Sequence, residues 1–356
     1  MVNKKISFIK IICILLIMTL LVACSAMTRR DRAREPVPQD DTRQGQPLGT
    51  KKPSPGQDAP KKETAKKPSL PKALQASDGQ EPSLKVFIQE ENRVEEMKLE
   101  DYIKNVVAGE IKNDWPHEAI KAQAIIARTF VLNFIDEKGQ SKYGNAHIST
   151  DIEEAQAWNP EAVNEKIEKA VQDTRGQVMV YDGKYAQAWF HSNAAGKTAT
   201  AKEGLNYKKE NPPYIKMVDS PDDSPEIPDD EVYWEYSVPK AKVIEALNTM
   251  GKSLKDFASV SIGQKGESGR AVTLSFDGTE VSAPDFRIAI GSTEMKSTLL
   301  DSVELQGDQV VFKGRGYGHG VGMSQWGAYK MAKEGRKAQD IIAHYFQGVD
   351  IVKMWD

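Results

Sequence analysis

The stretch VVAGEIKNDWPHEAIKAQAIIARTF, residues 106–130, places one acid where the spacing of apolar residues predicts a hydrophobic side chain. Ahead of it, apolar residues recur at the three- and four-residue steps of a buried helical stripe, at Leu99, Ile103, Val106 and Val107. Glu110 falls on that stripe. A glutamate in a last helical turn is commonly solvated; the alternative is that Glu110 lines a cleft, where partial burial raises the carboxyl pKa toward neutrality.

Working outward, the pattern predicts a first helix over about 99–112 and a second over 116–135. Pro116 suits the first turn of the second helix, because a proline there gives up no helical hydrogen bond. A third helix is predicted to open with Asn159 as its N-cap and to end before Gly176.

Beyond the helices, Asp182-Gly183 joins two β-rich runs and predicts a hairpin. A Pro- and Asp-rich loop over 218–230 precedes a helix (about 239–256) and strands near 257–263 and 270–276. Because strands and helices do not alternate as βαβ units, these elements predict an α+β fold for residues 84–356, with a smaller lobe at about 228–296.

The N-terminus predicts a bacterial lipoprotein signal. Three lysines precede the apolar run IICILLIMTLLVAC, residues 11–24, which suits a signal-peptide core better than a membrane span. Cleavage after residue 23 leaves Cys24 as a lipidated N-terminus on the outer face of the plasma membrane. The alternatives are an uncleaved signal anchor, or Cys24 as an ordinary thiol. Cys13 lies within the removed segment, so no disulfide remains.

Residues 24–83 predict a disordered stalk. Between residues 27 and 80, twelve Lys or Arg stand against seven Asp or Glu, with many prolines and no aromatic residue. The three signal lysines and this excess of five leave the folded part near −11, out of a net charge of −3. An acidic domain without a basic cluster argues against nucleic acid as a partner.

A second unusual string, GRGYGHGVGMSQWGAYKMAKEG, spans residues 314–335 and has glycine at every second position from 314 to 322. If this segment is extended, one face is bare and Tyr317 and His319 lie on the other. A dinucleotide-binding loop is excluded, because too little chain follows it.

Four ordered strings resemble the stage II sporulation protein D family, which includes amidase-enhancer proteins of bacterial walls. They are the GE dipeptide at 109–110, WPHEAIKAQAIIART at 115–129, FHSNAAGKT at 190–198 and GRGYGHGVGMSQWGA at 314–328. RIAIGSTEMKST at 287–298 is similar to a further family segment.

The resemblance implies a peptidoglycan lytic transglycosylase that acts in sporulation or wall remodelling on glycan strands stripped of their stem peptides. Glu110 matches the catalytic glutamate, and one carboxyl suffices when the sugar's own C6 hydroxyl is the nucleophile. The alternative is a non-catalytic peptidoglycan-binding protein that enhances a partner amidase. An ordinary hydrolase with Asp114 or Asp151 as second carboxylate is the third possibility.

The same motifs suggest the substrate-binding residues, namely Gln123, Arg128, His191, Ser192, Tyr317, His319, Ser324 and Gln325. Arg128 is expected either to bind the lactyl carboxylate of the stripped sugar or to form a structural ion pair. Ser324 is expected either to bind substrate or to cap a helix. Trp115 and Trp326 are assigned to packing.

Some family members hold a metal in the segment that reads NAHISTDIEEAQAW here, at 145–158. This segment has no cysteine, and His147 with Glu153 and Glu154 is not a convincing ligand set. We therefore expect neither zinc nor any other cofactor. The expected partners are glycan strands, a cell-wall amidase and the membrane.

Overall fold

The computed structural model describes residues 66–74 and 79–356. Helices α1 to α9 of this part are, in chain order, Leu99–Glu110, His117–Lys138, Glu165–Asp173, Ala201–Leu205, Asp229–Val232, Lys240–Thr249, Ala283–Ile290, Gln325–Lys333 and Ala338–Tyr345. Strands β1 to β14 are Ser83–Ile88, Arg93–Lys98, Ile148–Ser149, Gln177–Tyr181, Lys184–Tyr185, Phe190–His191, Tyr233–Pro239, Val260–Ile262, Thr273–Phe276, Thr279–Ser282, Leu300–Gln306, Gln309–Arg315, Met323–Ser324 and Asp350–Lys353. The mixture of helices and small sheets confirms the α+β class.

The two helices predicted around Glu110 are present. Helix α1 follows β2 directly and ends at Glu110, because the backbone of Ile111 turns extended with φ −137°. The apolar stripe of α1 is fully buried, at Leu99, Ile103, Val106 and Val107. Helix α2 begins at His117, one residue after the predicted start, with Pro116 outside the helix rather than in its first turn.

Helix α2 is buried on most sides and belongs to two hydrophobic cores. Ile120 and Val131 pack into the core that holds the stripe of α1. Ile125 and Ile126 pack into a second core, with Met323 of β13 and residues of α8 and α9. Because α2 contacts both cores, its position fixes α1 relative to the C-terminal helices.

A buried ion pair joins α1 to α2. Arg128 Nη2 and Nε donate to the two carboxylate oxygens of Glu100, at 2.7 and 3.1 Å. Glu100 Oε1 also accepts from the Gly176 N–H at 3.0 Å and from Trp355 Nε1 at 2.9 Å. Arg128 Nη1 donates to the Gln177 carbonyl at 2.9 Å. This network ties both helices, the start of β4 and the C-terminus together.

The prediction for the third helix is wrong at its start. Asn159 and Pro160 open only a 3₁₀ turn, Pro160–Ala162, which ends because Val163 is extended. Helix α3 begins after Asn164, whose side chain accepts from the Ile167 N–H at 3.0 Å. The predicted hairpin is present, and its turn residues Asp182 and Gly183 have φ of 49° and 72°.

A third hydrophobic core lies in the C-terminal half of the chain. It is built from β7, α6, β8 to β10, α7, β11 and β12. Strand β7 pairs antiparallel with β12, from Gln309 opposite Pro239 to Arg315 opposite Tyr233. This long-range pairing places β11 and β12, which follow residue 296, in one sheet with β7.

Part of the predicted stalk packs against the folded chain. Leu74 is 5% exposed and belongs to the first core, and the Ser69 carbonyl accepts from Tyr185 Oη at 3.1 Å. Residues of the segment that the sequence analysis assigned to the stalk thus contact the folded chain. The predicted signal peptide, Cys24 and the rest of the stalk up to residue 65 lie outside the described residues. Within residues 66–74 and 79–356, no helix has both the length and the apolar character that crossing a membrane requires.

We predict that Arg128→Met lowers the free energy of unfolding by about 3–5 kcal/mol, because it leaves the Glu100 carboxylate buried and unpaired. Urea denaturation measures the loss. Lys104→Met is the matched control, because Lys104 pairs with an Asp101 side chain that is 57% exposed; it should cost less than about 1 kcal/mol. An Arg128→Met loss as small as that of the control would contradict a structural role for the pair.

Candidate active site

Glu110 lies between two cavities. Cavity A has a volume of about 570 Å³, and its walls include Glu110, Asp114, Trp115, Ser192, Glu231 and Gln325. Cavity B has a volume of about 330 Å³, and its walls include Glu110, Gln156, Trp189, His191, Arg287 and His319. A further cavity of about 580 Å³ shares Lys112, Asp114, Trp115 and Trp326 with cavity A. A chain-like ligand that fills cavities A and B therefore passes Glu110.

The preceding glycine allows the Glu110 carboxyl to be held. A Cβ on Gly109 would lie 2.7 Å from the backbone of Ala157 and Trp158, so only glycine admits that segment to the end of α1. The Ala157 N–H then donates to Glu110 Oε1 at 2.6 Å. The GE dipeptide thus couples a close backbone approach to the orientation of the acid.

Burial raises the pKa of the Glu110 carboxyl to about 7, and the hydrogen bond from Ala157 offsets part of that rise. At neutral pH both protonation states of the group are therefore populated. A carboxyl in this condition can donate a proton in one step and accept one in the next.

Two glutamine side chains are hydrogen-bonded in a row next to the backbone of Glu110. Gln325 Nε2 donates to the Glu110 carbonyl at 3.0 Å and to Gln123 Oε1 at 3.4 Å. Gln325 lines cavity A, as expected for a substrate-binding residue. Gln123 is 0% exposed and contacts Gln325 rather than open space. The structure therefore corrects the prediction for Gln123, which can position the site but does not reach its surface.

The expectation that Arg128 binds a substrate carboxylate is wrong. Its side chain is 0% exposed and is bonded to Glu100, so the structural ion pair, the alternative left open by the sequence, is the one that forms. The helical pattern alone does not reveal this partner, because Glu100 lies on another helix.

His191 and Ser192 face different cavities, because neighbouring residues of an extended segment point to opposite sides. His191 lines cavity B, and its Nδ1–H donates to the Val321 carbonyl at 3.2 Å. Ser192 lines cavity A and donates to Glu231 Oε2 at 2.5 Å. Both residues therefore border the cleft.

The glycine-rich segment is extended only up to Arg315, where β12 ends, so the extended arrangement considered in the sequence analysis does not continue beyond that residue. Gly316, Gly318, Gly320 and Gly322 all have positive φ, between 73° and 106°, which side-chain-bearing residues rarely adopt. A Cβ on Gly318 would lie 2.6 Å from His191 Cβ. The glycines thus form a tightly wound loop that packs against the strand carrying His191.

This loop separates the two residues that were expected in the cleft. His319 lines cavity B, and its Nδ1 accepts from the Val321 N–H at 3.0 Å. Burial, reinforced by Arg287 and Arg270, lowers the pKa of His319 to about 3, so its ring is neutral. Tyr317 is absent from the walls of both cavities and bonds to the backbone of Asn193. The prediction of a cleft position is wrong for Tyr317.

Ser324 is a helix cap, not a surface residue of the site. It is 0% exposed, its Oγ accepts from the Gly327 N–H at 3.3 Å, and it donates to Asp222 Oδ1 at 2.5 Å. This outcome confirms the capping alternative. Trp115 and Trp326 are 6% and 2% exposed, which agrees with packing roles.

The sequence analysis missed the acid Glu231. It lines cavity A, and its Oε2 accepts from Ser192 and, at 3.2 Å, from Trp326 Nε1. Asp114 lines the same cavity, whereas Asp151 bonds to Lys142 and Tyr143 outside both cavities. Glu231 follows a Pro- and Asp-rich loop that contains several acids. The sequence alone does not distinguish the acid that lines the cavity from the others.

The segment discussed as a metal site is occupied by hydrogen bonds. The Lys85 N–H donates to His147 Nδ1 at 3.0 Å, and Glu154 Oε2 accepts from Ser141 and Ser149 hydroxyls, each at 2.5 Å. In the described part of the chain, no group of three or more His, Cys, Asp or Glu is arranged to hold a metal. The chemistry of these residues gives no fit to zinc.

We predict that Glu110→Gln stabilises the fold above neutral pH. A raised carboxyl pKa contributes stability that is full below the unfolded value near 4.5 and is lost as pH rises through about 7. Discounted for the partial exposure of Glu110, the variant should gain about 1–3 kcal/mol relative to wild type between pH 4.5 and pH 8.

Denaturation at both pH values measures this gain, with the exposed Glu210→Gln as control. An equal difference between Glu110→Gln and wild type at the two pH values would show that burial does not disfavour the carboxylate.

Comparison of the sequence with known proteins identifies a family for this chain. A family model described as Stage II sporulation protein matches residues 88–181, and one described as a domain of unknown function matches residues 203–322. An uncharacterized protein of Brachyspira hyodysenteriae is 31% identical over 260 residues, covering 73% of this chain and 68% of that protein.

Two relatives carry informative names. The Amidase enhancer of Bacillus subtilis (strain 168) is 26% identical over 294 residues, covering 70% of this chain and 40% of that protein. The Stage II sporulation protein D of Bacillus amyloliquefaciens is 30% identical over 308 residues, covering 78% of this chain and 83% of that protein. The chain therefore belongs to the Stage II sporulation protein D family.

Proposed function

We propose that this protein is a lytic transglycosylase that cleaves peptidoglycan between N-acetylmuramic acid and N-acetylglucosamine, in strands whose stem peptides have been removed. The observation that carries the proposal is Glu110, a carboxyl whose pKa burial raises to about 7 and which lines both cavities. Family membership supports a role in sporulation and the cell wall.

The chemistry needs one carboxyl in two states. Protonated Glu110 donates to the glycosidic oxygen as the C1–O bond breaks, and the N-acetylglucosamine end leaves as an alcohol. The resulting carboxylate accepts the proton of the C6 hydroxyl, whose oxygen bonds to C1 and closes a 1,6-anhydro ring. Because the nucleophile belongs to the sugar, no second carboxylate is required.

Two other functions have specific support. The similarity to the Amidase enhancer favours a non-catalytic binder that acts through a partner amidase. Asp114 and Glu231, which line the same cavity as Glu110, favour an ordinary hydrolase with a second carboxylate. The products separate all three.

We predict that wild-type protein, given amidase-stripped glycan, releases fragments that end in 1,6-anhydro-N-acetylmuramic acid, one water lighter than hydrolysis products. Glu110→Gln should lower the rate by at least about two to four powers of ten, because one group serves both proton transfers. Mass spectrometry of the digests measures both effects, and Glu210→Gln serves as the surface control.

Reducing ends instead of anhydro ends, abolished by Glu231→Gln or Asp114→Asn, would identify a hydrolase. Full activity of Glu110→Gln would remove Glu110 from the mechanism. Absence of cleavage by wild type, together with stimulation of an added amidase, would leave the enhancer function.

We further propose that lipid on Cys24 holds the protein on the outer face of the plasma membrane. The support is the basic start, the apolar run and the LVAC end of the signal. We predict that Cys24→Ala protein appears in the soluble fraction, whereas wild type sediments with membranes and incorporates labelled lipid. Membrane association of both proteins, with no label in wild type, would overturn this proposal.

A further inference from the structure

Cavity B contains polar groups that have no partner in the described part of the chain. Gln156 is 2% exposed, and neither its amide nitrogen nor its amide oxygen is hydrogen-bonded. His191 is 4% exposed, and its Nε2 is also without a partner. Buried polar atoms are nearly always satisfied, so a cluster of unsatisfied ones around one cavity points to a ligand that completes it.

A positive charge without a counter-ion lines the same cavity. Arg287 is 8% exposed, and its recorded bonds go to backbone carbonyls, from Nε to Met295 at 2.9 Å and Lys296 at 3.1 Å, and from Nη2 to Ser292 at 2.7 Å. Nη1 bonds to no described residue and is not among the fully buried atoms. No carboxylate of the described residues lies within ion-pair distance of Arg287.

The remaining walls of cavity B do not supply a full negative charge to offset that of Arg287. Glu110 is the one acid among the lining residues, and because burial raises its pKa to about 7 it is only partly ionised at neutral pH. His191 and His319 are neutral because burial lowers both of their pKa values. A buried guanidinium in these surroundings is incomplete without an anion.

We propose that cavity B binds a muramic acid residue free of peptide, with Arg287 holding its lactyl carboxylate and Gln156 holding its acetamido group. This inference rests on the proposed function, whose substrate carries both groups. The amide of Gln156 offers one donor and one acceptor side, which matches the C=O and N–H of an acetamido group. His191 Nε2, as an acceptor, is left for a sugar hydroxyl or N–H.

The assignment gives a physical reason for the preference for peptide-stripped strands that the proposed function contains. In an intact strand the lactyl carbonyl is an amide, which has no charge for Arg287 and continues into a peptide. In a stripped strand it is a carboxylate, which forms charge-assisted hydrogen bonds with a guanidinium. Arg287 therefore distinguishes strands from which an amidase has removed the stem peptide from intact strands.

The test measures binding without cleavage, in the Glu110→Gln protein. Calorimetry compares stripped glycan oligosaccharides with the same oligosaccharides after methyl esterification of their lactyl carboxyls. The carboxylate form should bind about 10- to 100-fold more tightly, as expected for hydrogen bonds to charged groups. Adding Arg287→Gln should reduce that preference to within about twofold, whereas Arg315→Gln, a control that removes an exposed arginine paired with Asp301, should leave it intact.

Equal binding of ester and carboxylate by protein that retains Arg287 would overturn the assignment, and this arm holds even if the Arg287 variant does not fold. Gln156→Leu should weaken both forms equally; unchanged binding would remove Gln156 from the site. If the protein prefers the carboxylate over the ester but wild type releases no anhydro products, the lyase proposal alone is wrong. If wild type releases anhydro products but the protein binds ester and carboxylate equally, this inference alone is wrong.

Discussion

The buried pair of Glu100 and Arg128 is the constraint on which the arrangement of the site depends. It bonds the start of α1 to the middle of α2, and Glu100 also accepts from the backbone of Gly176 and the indole of Trp355. Glu110 is the last residue of the helix that has Glu100 in its first turn, and Gln123 lies on α2 a little more than one turn before Arg128. A single buried charge pair thus sets the position of the acid and of the amide that supports it, because a helix transmits position along its length.

Glycine at crowded positions is the second constraint. Gly109 admits the backbone at Ala157, and Gly320 lies against Arg270, where a Cβ would meet the guanidinium at 2.4 Å. At Gly322 a Cβ would lie 1.9 Å from the Trp189 carbonyl oxygen. The glycines of this string therefore serve close packing of the backbone, while His319 between them lines cavity B. The glycines' lack of side chains lets the loop reach the strand that carries His191, and this contact forms a wall of cavity B.

Sequence patterns over a few neighbouring residues correctly predicted those parts of the structure that depend on neighbouring residues. The apolar stripe located Glu110, and the Asp182-Gly183 turn located its hairpin, because both depend on neighbouring residues. Three other roles depend instead on parts of the chain that are distant in sequence. Arg128 pairs with Glu100, Glu231 accepts from Ser192, and Arg287 lines a cavity together with Glu110. The pairing of β7 with β12 likewise joins segments that are far apart in the sequence. Helical periodicity does not distinguish an arginine that faces a substrate from one that faces a buried glutamate.

The charges on the two sides of Glu110 are unequal, and this asymmetry bears on how a glycan strand enters. Cavity A contains Asp114 and Glu231 against one lysine, Lys112, whereas cavity B contains Arg287 and no acid other than Glu110. A strand with its muramic acid in cavity B brings a lactyl carboxylate to a guanidinium and leaves an uncharged N-acetylglucosamine beside the acids. The same strand shifted by one sugar brings that carboxylate against Asp114 and Glu231, and like charges at short range oppose it. On the proposed function, repulsion in cavity A and attraction in cavity B therefore both favour the muramic acid in cavity B. When the strand runs with C1 of that sugar toward cavity A, the glycosidic oxygen next to Glu110 is the one that lytic cleavage would protonate.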